Sequence, residues 1–140
     1  EGSGLSRAAL VTPNAIVQLL RYMHEHPEAD AFRESLPVAG VDGTIRNRMK
    51  APGLKGNVRA KTGTLSHVNA LSGYLTTQGG EPLAFSLLLN AYSGSGYRSP
   101  RAELDEVVTL LWRLDRKPSA ENEKTGREMP AAEHDHRAVR

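Results

Sequence analysis

The chain has 140 residues, 39% hydrophobic and 5% aromatic, and its 18 Lys plus Arg against 16 Asp plus Glu leave a net charge of +2. A chain of this length buries about two-thirds of its unfolded surface, enough for one core but not for two full domains. With no Cys, disulfide scaffolds and thiolate metal sites are excluded, while either a reducing or an oxidising compartment stays open. No apolar run reaches the roughly 20 residues that cross a bilayer, so no transmembrane segment is expected in this chain, and the first residues lack the order of a signal peptide.

The opening Glu1–Leu10 is rich in Gly and Ser, and Thr12-Pro13 then reads as an N-cap followed by a first-turn proline. A helix is predicted beyond it, with Ile16, Val17, Leu19, Leu20 and Met23 on one stripe and Pro27 as its limit. Ala31–Leu36 reads as a further helical turn, and Pro37 forces extended or turn geometry around Val38–Gly43, with a turn at Asp42-Gly43. From Asn57 the period changes to two. Val58 and Ala60 face one way and Arg59 and Lys61 the other, which predicts a strand.

Leu71–Thr77 and Leu83–Asn90 read as two more strands, joined antiparallel through Gln78-Gly79-Gly80-Glu81-Pro82. The last of these is apolar on both faces and is expected to be covered on both sides. Ser99-Pro100 supplies a second cap and first turn, and Leu104, Val107, Val108, Leu111 and Leu114 form the stripe of a final helix lying across the sheet, with Trp112 packed on it. Residues 117–140 contain five basic and five acidic side chains and no Leu, Ile, Phe, Tyr or Trp, so a disordered tail is expected after a domain spanning residues 1–116. Neither His134 with His136 on that tail nor His24 with His26 at a helix end makes a metal site. The fold class is therefore α+β, an antiparallel sheet of at least three strands packed with helices. Three strands alone leave unpaired edges that complete domains cover, which points to partners elsewhere in a longer chain.

Charge is uneven along the sequence. Residues 43–80 hold six basic side chains (Arg46, Arg48, Lys50, Lys55, Arg59 and Lys61) and no acidic one, leaving 12 basic and 16 acidic residues for the rest. This cationic middle suits an anionic partner. Nucleic acid is disfavoured, because Tyr74 is the stretch's single aromatic and a stacking platform needs several.

Lys61-Thr62-Gly63-Thr64 closes the first strand. An ammonium supplies charge, two threonine hydroxyls donate hydrogen bonds, and Gly63 lets a ligand backbone approach without meeting a Cβ, so the four residues suit a peptide carboxylate added along a strand edge. Taken alone, the same residues also read as an exposed strand end. Ser93-Gly94-Ser95-Gly96 lacks the spacing of a nucleophile elbow and reads as a flexible connection.

Four separated segments extend the pattern: Gly2-Ser3-Gly4-Leu5-Ser6-Arg7, Thr12-Pro13, Leu36-Pro37-Val38-Ala39-Gly40-Val41-Asp42-Gly43-Thr44, and Arg59-Ala60-Lys61-Thr62-Gly63-Thr64-Leu65. Together they resemble the C-terminal third of the D-alanyl-D-alanine carboxypeptidase/endopeptidases, the class C low-molecular-mass penicillin-binding proteins, from about Glu1 to Leu114. Glu1 and Ala9 depart from the family's usual Asp and Asn. The family is similar to serine β-lactamases in carrying Ser-x-x-Lys, Ser-x-Asn and Lys-Thr-Gly motifs. Only the third occurs here: no Ser is followed by Lys three places on, and no Ser or Tyr stands two before an Asn.

The resemblance implies the C-terminal part of a serine β-lactamase/transpeptidase-like fold, with the nucleophile on an N-terminal part outside this sequence. It implies hydrolysis of peptidoglycan stem peptides ending in D-Ala-D-Ala through an acyl-enzyme, acylation by β-lactams, a periplasmic or otherwise extracytoplasmic location, and no cofactor. Lys61 and Thr64 would be catalytic, the backbone N–H of Thr64 serving as an oxyanion donor. Lys61, Thr62, Gly63 and Thr64 would bind substrate, and Arg59 would be only a neighbour. The alternatives are a β-lactamase or esterase of the same fold, or a non-enzymatic module that binds anions through residues 43–80.

Overall fold

Local capping decides where the two long helices start. In the computed structural model, which describes residues 10–92 and 99–115, α1 spans Pro13–Glu25, and the Thr12 hydroxyl accepts from the Ala15 N–H at 3.1 Å. Ser99 repeats the device for α3 (Pro100–Trp112), accepting from the Ala102 N–H at 3.2 Å. Between them lie a short α2 (Ala29–Glu34), a 3₁₀ turn at Gly43–Ile45, and strands β1 (Arg59–Leu65), β2 (Val68–Thr76) and β3 (Pro82–Asn90). The opening segment up to Ala9, Ser93–Gly96 and the 117–140 tail fall outside the described residues.

The strands form an antiparallel meander in the order β1-β2-β3, with Lys61 opposite Ser72 and Ser72 opposite Ser86. The β1–β2 hairpin turns on Ser66 and His67. His67 takes a φ of 59°, and its ring Nδ1 lies 3.0 Å from the Tyr92 carbonyl oxygen. The β2–β3 connection closes through Thr77, whose buried hydroxyl accepts from the Glu81 N–H, and Gly80 supplies the positive φ. Gln78 and Gly79 in this turn donate to the carbonyls of Trp112 and Leu114, satisfying acceptors that the end of α3 leaves unpaired.

Side chains alternate between two different faces. On one, Val58, Ala60, Leu71, Leu75 and Phe85 are buried against Leu104 and Val108 of α3 and against Ala39, Ile45, Met49 and Leu54 of the 37–58 segment. Trp112 packs on this core over Gly53, where an added Cβ would lie 2.2 Å from the indole Cζ2. The opposite face carries α1, whose Leu20 is buried and whose Leu20 carbonyl accepts from the Tyr74 hydroxyl at 2.6 Å.

Several details differ from the sequence reading. β2 begins three residues before Leu71. Val107 and Leu114, expected on the α3 stripe, are exposed, Val107 at the border of the face that Leu104, Val108 and Leu111 define and Leu114 beyond the helix end. Leu19 is 55% exposed although it was expected on the α1 stripe. At 100° per residue it lies a full step from Leu20, at the border of the face that Ile16, Leu20 and Met23 define. The short helix begins two residues earlier than predicted, because Ala29 already donates to the His26 carbonyl and Phe32 to that of Glu28. His24 and His26 sit at the helix end as expected, with Glu28 N–H donating to the His26 ring at 3.1 Å.

Candidate functional site

Hydrogen-bond parity decides what the outer edge of β1 presents. The Ala60 N–H donates to the Pro37 carbonyl, and the Val58 carbonyl accepts from the Ala39 N–H, both at 2.9 Å, so the even-numbered residues turn their backbone groups away from β2. The Pro37–Ala39 segment thus covers the start of the edge and stops there. Among the described residues no backbone partner covers the outward groups of Thr62 and Thr64.

Lys61 alternates to the side opposite the core, and its exposed side chain curls over the edge until Nζ donates to the Thr62 carbonyl at 2.7 Å. The Thr62 hydroxyl, on the other side, donates to the Thr44 hydroxyl at 3.0 Å. At Gly63 an added Cβ would meet only Ala70 Cβ, at 3.3 Å, so internal packing asks little for glycine here and the need lies on the open side. All four residues singled out in the sequence are therefore brought to one edge.

A cavity of about 280 Å³ lies beside them, lined by Thr62, Gly63 and Thr64 together with Thr44, Asn69 and Arg101. Sequence reasoning did not select Thr44, Asn69 or Arg101 as site residues. Thr44 did stand in the Leu36–Thr44 segment, which was the available signal. Arg48 reaches the same cavity but is committed elsewhere: its guanidinium makes three hydrogen bonds to the Asp105 carboxylate, at 2.7, 3.0 and 3.2 Å, and donates to the Arg101 carbonyl at 3.4 Å. That ion pair fastens the 43–48 loop to α3 and removes one charge from the cationic stretch. Among the described residues there is no group of three or more His, Asp or Glu side chains placed to hold a metal ion, and no helix long and apolar enough to cross a membrane.

The model of the D-Ala-D-Ala carboxypeptidase 3 (S13) family matches residues 1–111. The chain belongs to that family. A D-alanyl-D-alanine carboxypeptidase of Actinomadura sp. strain R39 is 46% identical over 116 residues, 79% of this chain and 21% of the relative. The carboxypeptidase DacB of Haemophilus influenzae is 43% identical over 95 residues, 66% of this chain and 20% of the relative. The crystal structure of penicillin-binding protein 4 from H. influenzae aligns with a TM-score of 0.71 at 38% identity, covering 81% of this chain and 27% of that one. The same protein has been solved in complex with a β-lactam. A predatory peptidoglycan endopeptidase of Bdellovibrio bacteriovorus, at 20% identity and a TM-score of 0.66, shares the fold over 84% of this chain and 32% of that one. The S13 chain described here thus has the transpeptidase-like fold expected of it and spans about a fifth of the length of the curated relatives it matches.

Proposed function

We propose that the chain supplies the Lys-Thr-Gly wall of a serine D-Ala-D-Ala carboxypeptidase/endopeptidase that works on peptidoglycan outside the cytoplasmic membrane. The observation that carries this reading is the open half of the β1 edge, where outward backbone groups of Thr62 and Thr64 adjoin the Lys61 ammonium. A stem peptide adds there as a further antiparallel strand. Its terminal carboxylate meets the Lys61 ammonium at the edge and the hydroxyls of Thr62 and Thr64, beside a cavity whose cation Arg101 has no carboxylate within ion-pair distance among the described residues. The carbonyl under attack then lies over the Thr64 N–H, which donates to the oxygen as it becomes negative. The serine that forms and loses the acyl bond comes from the part of the protein that precedes this sequence, and water releases the acyl group. β-Lactams acylate the same serine.

Hydrolysis of a D-Ala-D-Ala peptide by the protein with its upstream segment tests the reading. Replacing Lys61 with Ala is expected to lower kcat/KM on the order of a hundredfold or more, and labelling by a fluorescent penicillin should fall with it. The 140-residue chain alone, having no Ser-x-x-Lys, should take up no covalent penicillin. Efficient hydrolysis by Lys61→Ala, or a stable adduct on the short chain, would refute the assignment. Hydrolysis of β-lactams in preference to the peptide would point instead to a β-lactamase of the same fold.

A further inference from the structure

A second cavity, of about 380 Å³, opens where the last turns of α1 meet the start of β1, the end of β2 and the start of β3. Three arginines line it, Arg21 from α1, Arg33 from α2 and Arg59 from β1, together with His24, Glu25 and Tyr74. Arg33 is held in place: its Nη2 donates to His24 Nδ1 at 2.8 Å, and its guanidinium carbon stands 5.6 Å from the Tyr74 ring centroid. Arg59 donates to the Arg33 carbonyl at 3.5 Å. Unlike Arg48, none of the three has a carboxylate within 4.0 Å among the described residues. Glu25 supplies one negative charge and the C-terminal end of α1 about half of another, against three guanidiniums. The lining is left with a net positive charge that Glu25 does not balance.

The cavity's place relative to Lys61 supplies a source for a balancing anion. Arg59 and Lys61 project from the same face of β1, two residues and about 7 Å apart. With the scissile carbonyl over the Thr64 N–H and the leaving residue's carboxylate at Lys61, the bound peptide runs antiparallel to β1. Whatever is attached to the leaving residue therefore extends toward Arg59. A free D-alanine has only a methyl group there, whereas a leaving residue that belongs to a second, carboxylate-bearing peptide strand reaches the arginines. We propose that the cavity is a leaving-group subsite for carboxylates, selecting cross-linked peptides over those that end in D-alanine. This inference rests on the function proposed above for the same edge.

Two measurements test it. In the protein with its upstream segment, two acetylated peptides are compared that differ only in the leaving residue, D-alanine or D-α-aminoadipate. The ratio of kcat/KM, acidic over neutral, should fall at least fivefold in Arg21→Gln and in Arg33→Gln, both of which should still be labelled by fluorescent penicillin. An unchanged ratio in labelled variants would overturn the subsite. Independently of any hydrolysis, titrating tricarballylate into the protein with its upstream segment should give saturable shifts of the His24 and Tyr74 ring signals, weakened at least fivefold by Arg21→Gln. Absence of such shifts would also overturn it. Shifts in a protein that hydrolyses neither peptide would leave the anion cavity standing and remove the peptidase.

Discussion

The two faces of the sheet are made for different ends. The face under α3 is apolar at its centre, with Val58, Ala60, Leu71 and Val108 fully buried, whereas the face under α1 carries the Ser72–Ser86 hydroxyl pair, Tyr74, Arg59 and Lys61. Burial on the first face supplies the stability that lets the second keep cations near one another with no carboxylate partner among the described residues. The edge of β1 belongs to both: Thr62 reaches back to Thr44 on the core side, and Lys61 reaches over from the other.

Substitutions on the core side should act on stability. The largest effect is expected at Gly73, where an added Cβ would lie 2.0 Å from the Arg59 carbonyl oxygen and 2.6 Å from Ala60 Cα. Because backbone atoms cannot step aside, Gly73→Ala should cost about 3 kcal/mol in denaturant unfolding. A cost below 1 kcal/mol would mean that β1 and β2 are less tightly apposed than described. Arg48→Ala leaves the Asp105 carboxylate without its half-buried partner and frees the 43–48 loop from α3, so a loss of about 2 kcal/mol is expected, with faster amide exchange at Ile45 and Arg46.

Across the sheet the effects should be smaller. Tyr74→Phe removes the hydroxyl donated to Leu20 and should cost about 1 kcal/mol. Burial pushes the Tyr74 phenol above its ordinary value near 10, and the Arg33 charge only partly offsets this. Folding therefore favours the protonated phenol. Its contribution is complete below pH 10 and is lost as the pH rises from there through the higher folded value, so the wild type should weaken over that window more steeply than Tyr74→Phe. Equal slopes would place Tyr74 in solvent.

What the sequence discloses follows the range of the interactions. Thr12-Pro13 and Ser99-Pro100 announce their helices because a cap acts within three residues, and β3 is legible because both of its faces are apolar. The Lys61–Thr64 cluster is legible because it is contiguous. The cover that Pro37 and Ala39 place on β1, the bonding of Arg48 to Asp105, and the meeting of Arg21, Arg33 and Arg59 join residues far apart in the chain, and no local pattern carries them. The sequence neighbours of Arg59 give no sign of Arg33 beside it in space.

The stretch that shields Val58 and Ala60 also has a geometric consequence. Because the chain's own residues occupy the border up to Ala60, a visiting strand meets a fixed stop and can begin pairing no earlier than Thr62. A guest that slipped by one residue would present its alternate side chains to the wrong side, and a two-residue slip would collide with Pro37. The doorstop, rather than any single contact with the visitor, fixes where along β1 an added strand can begin, and with it the register.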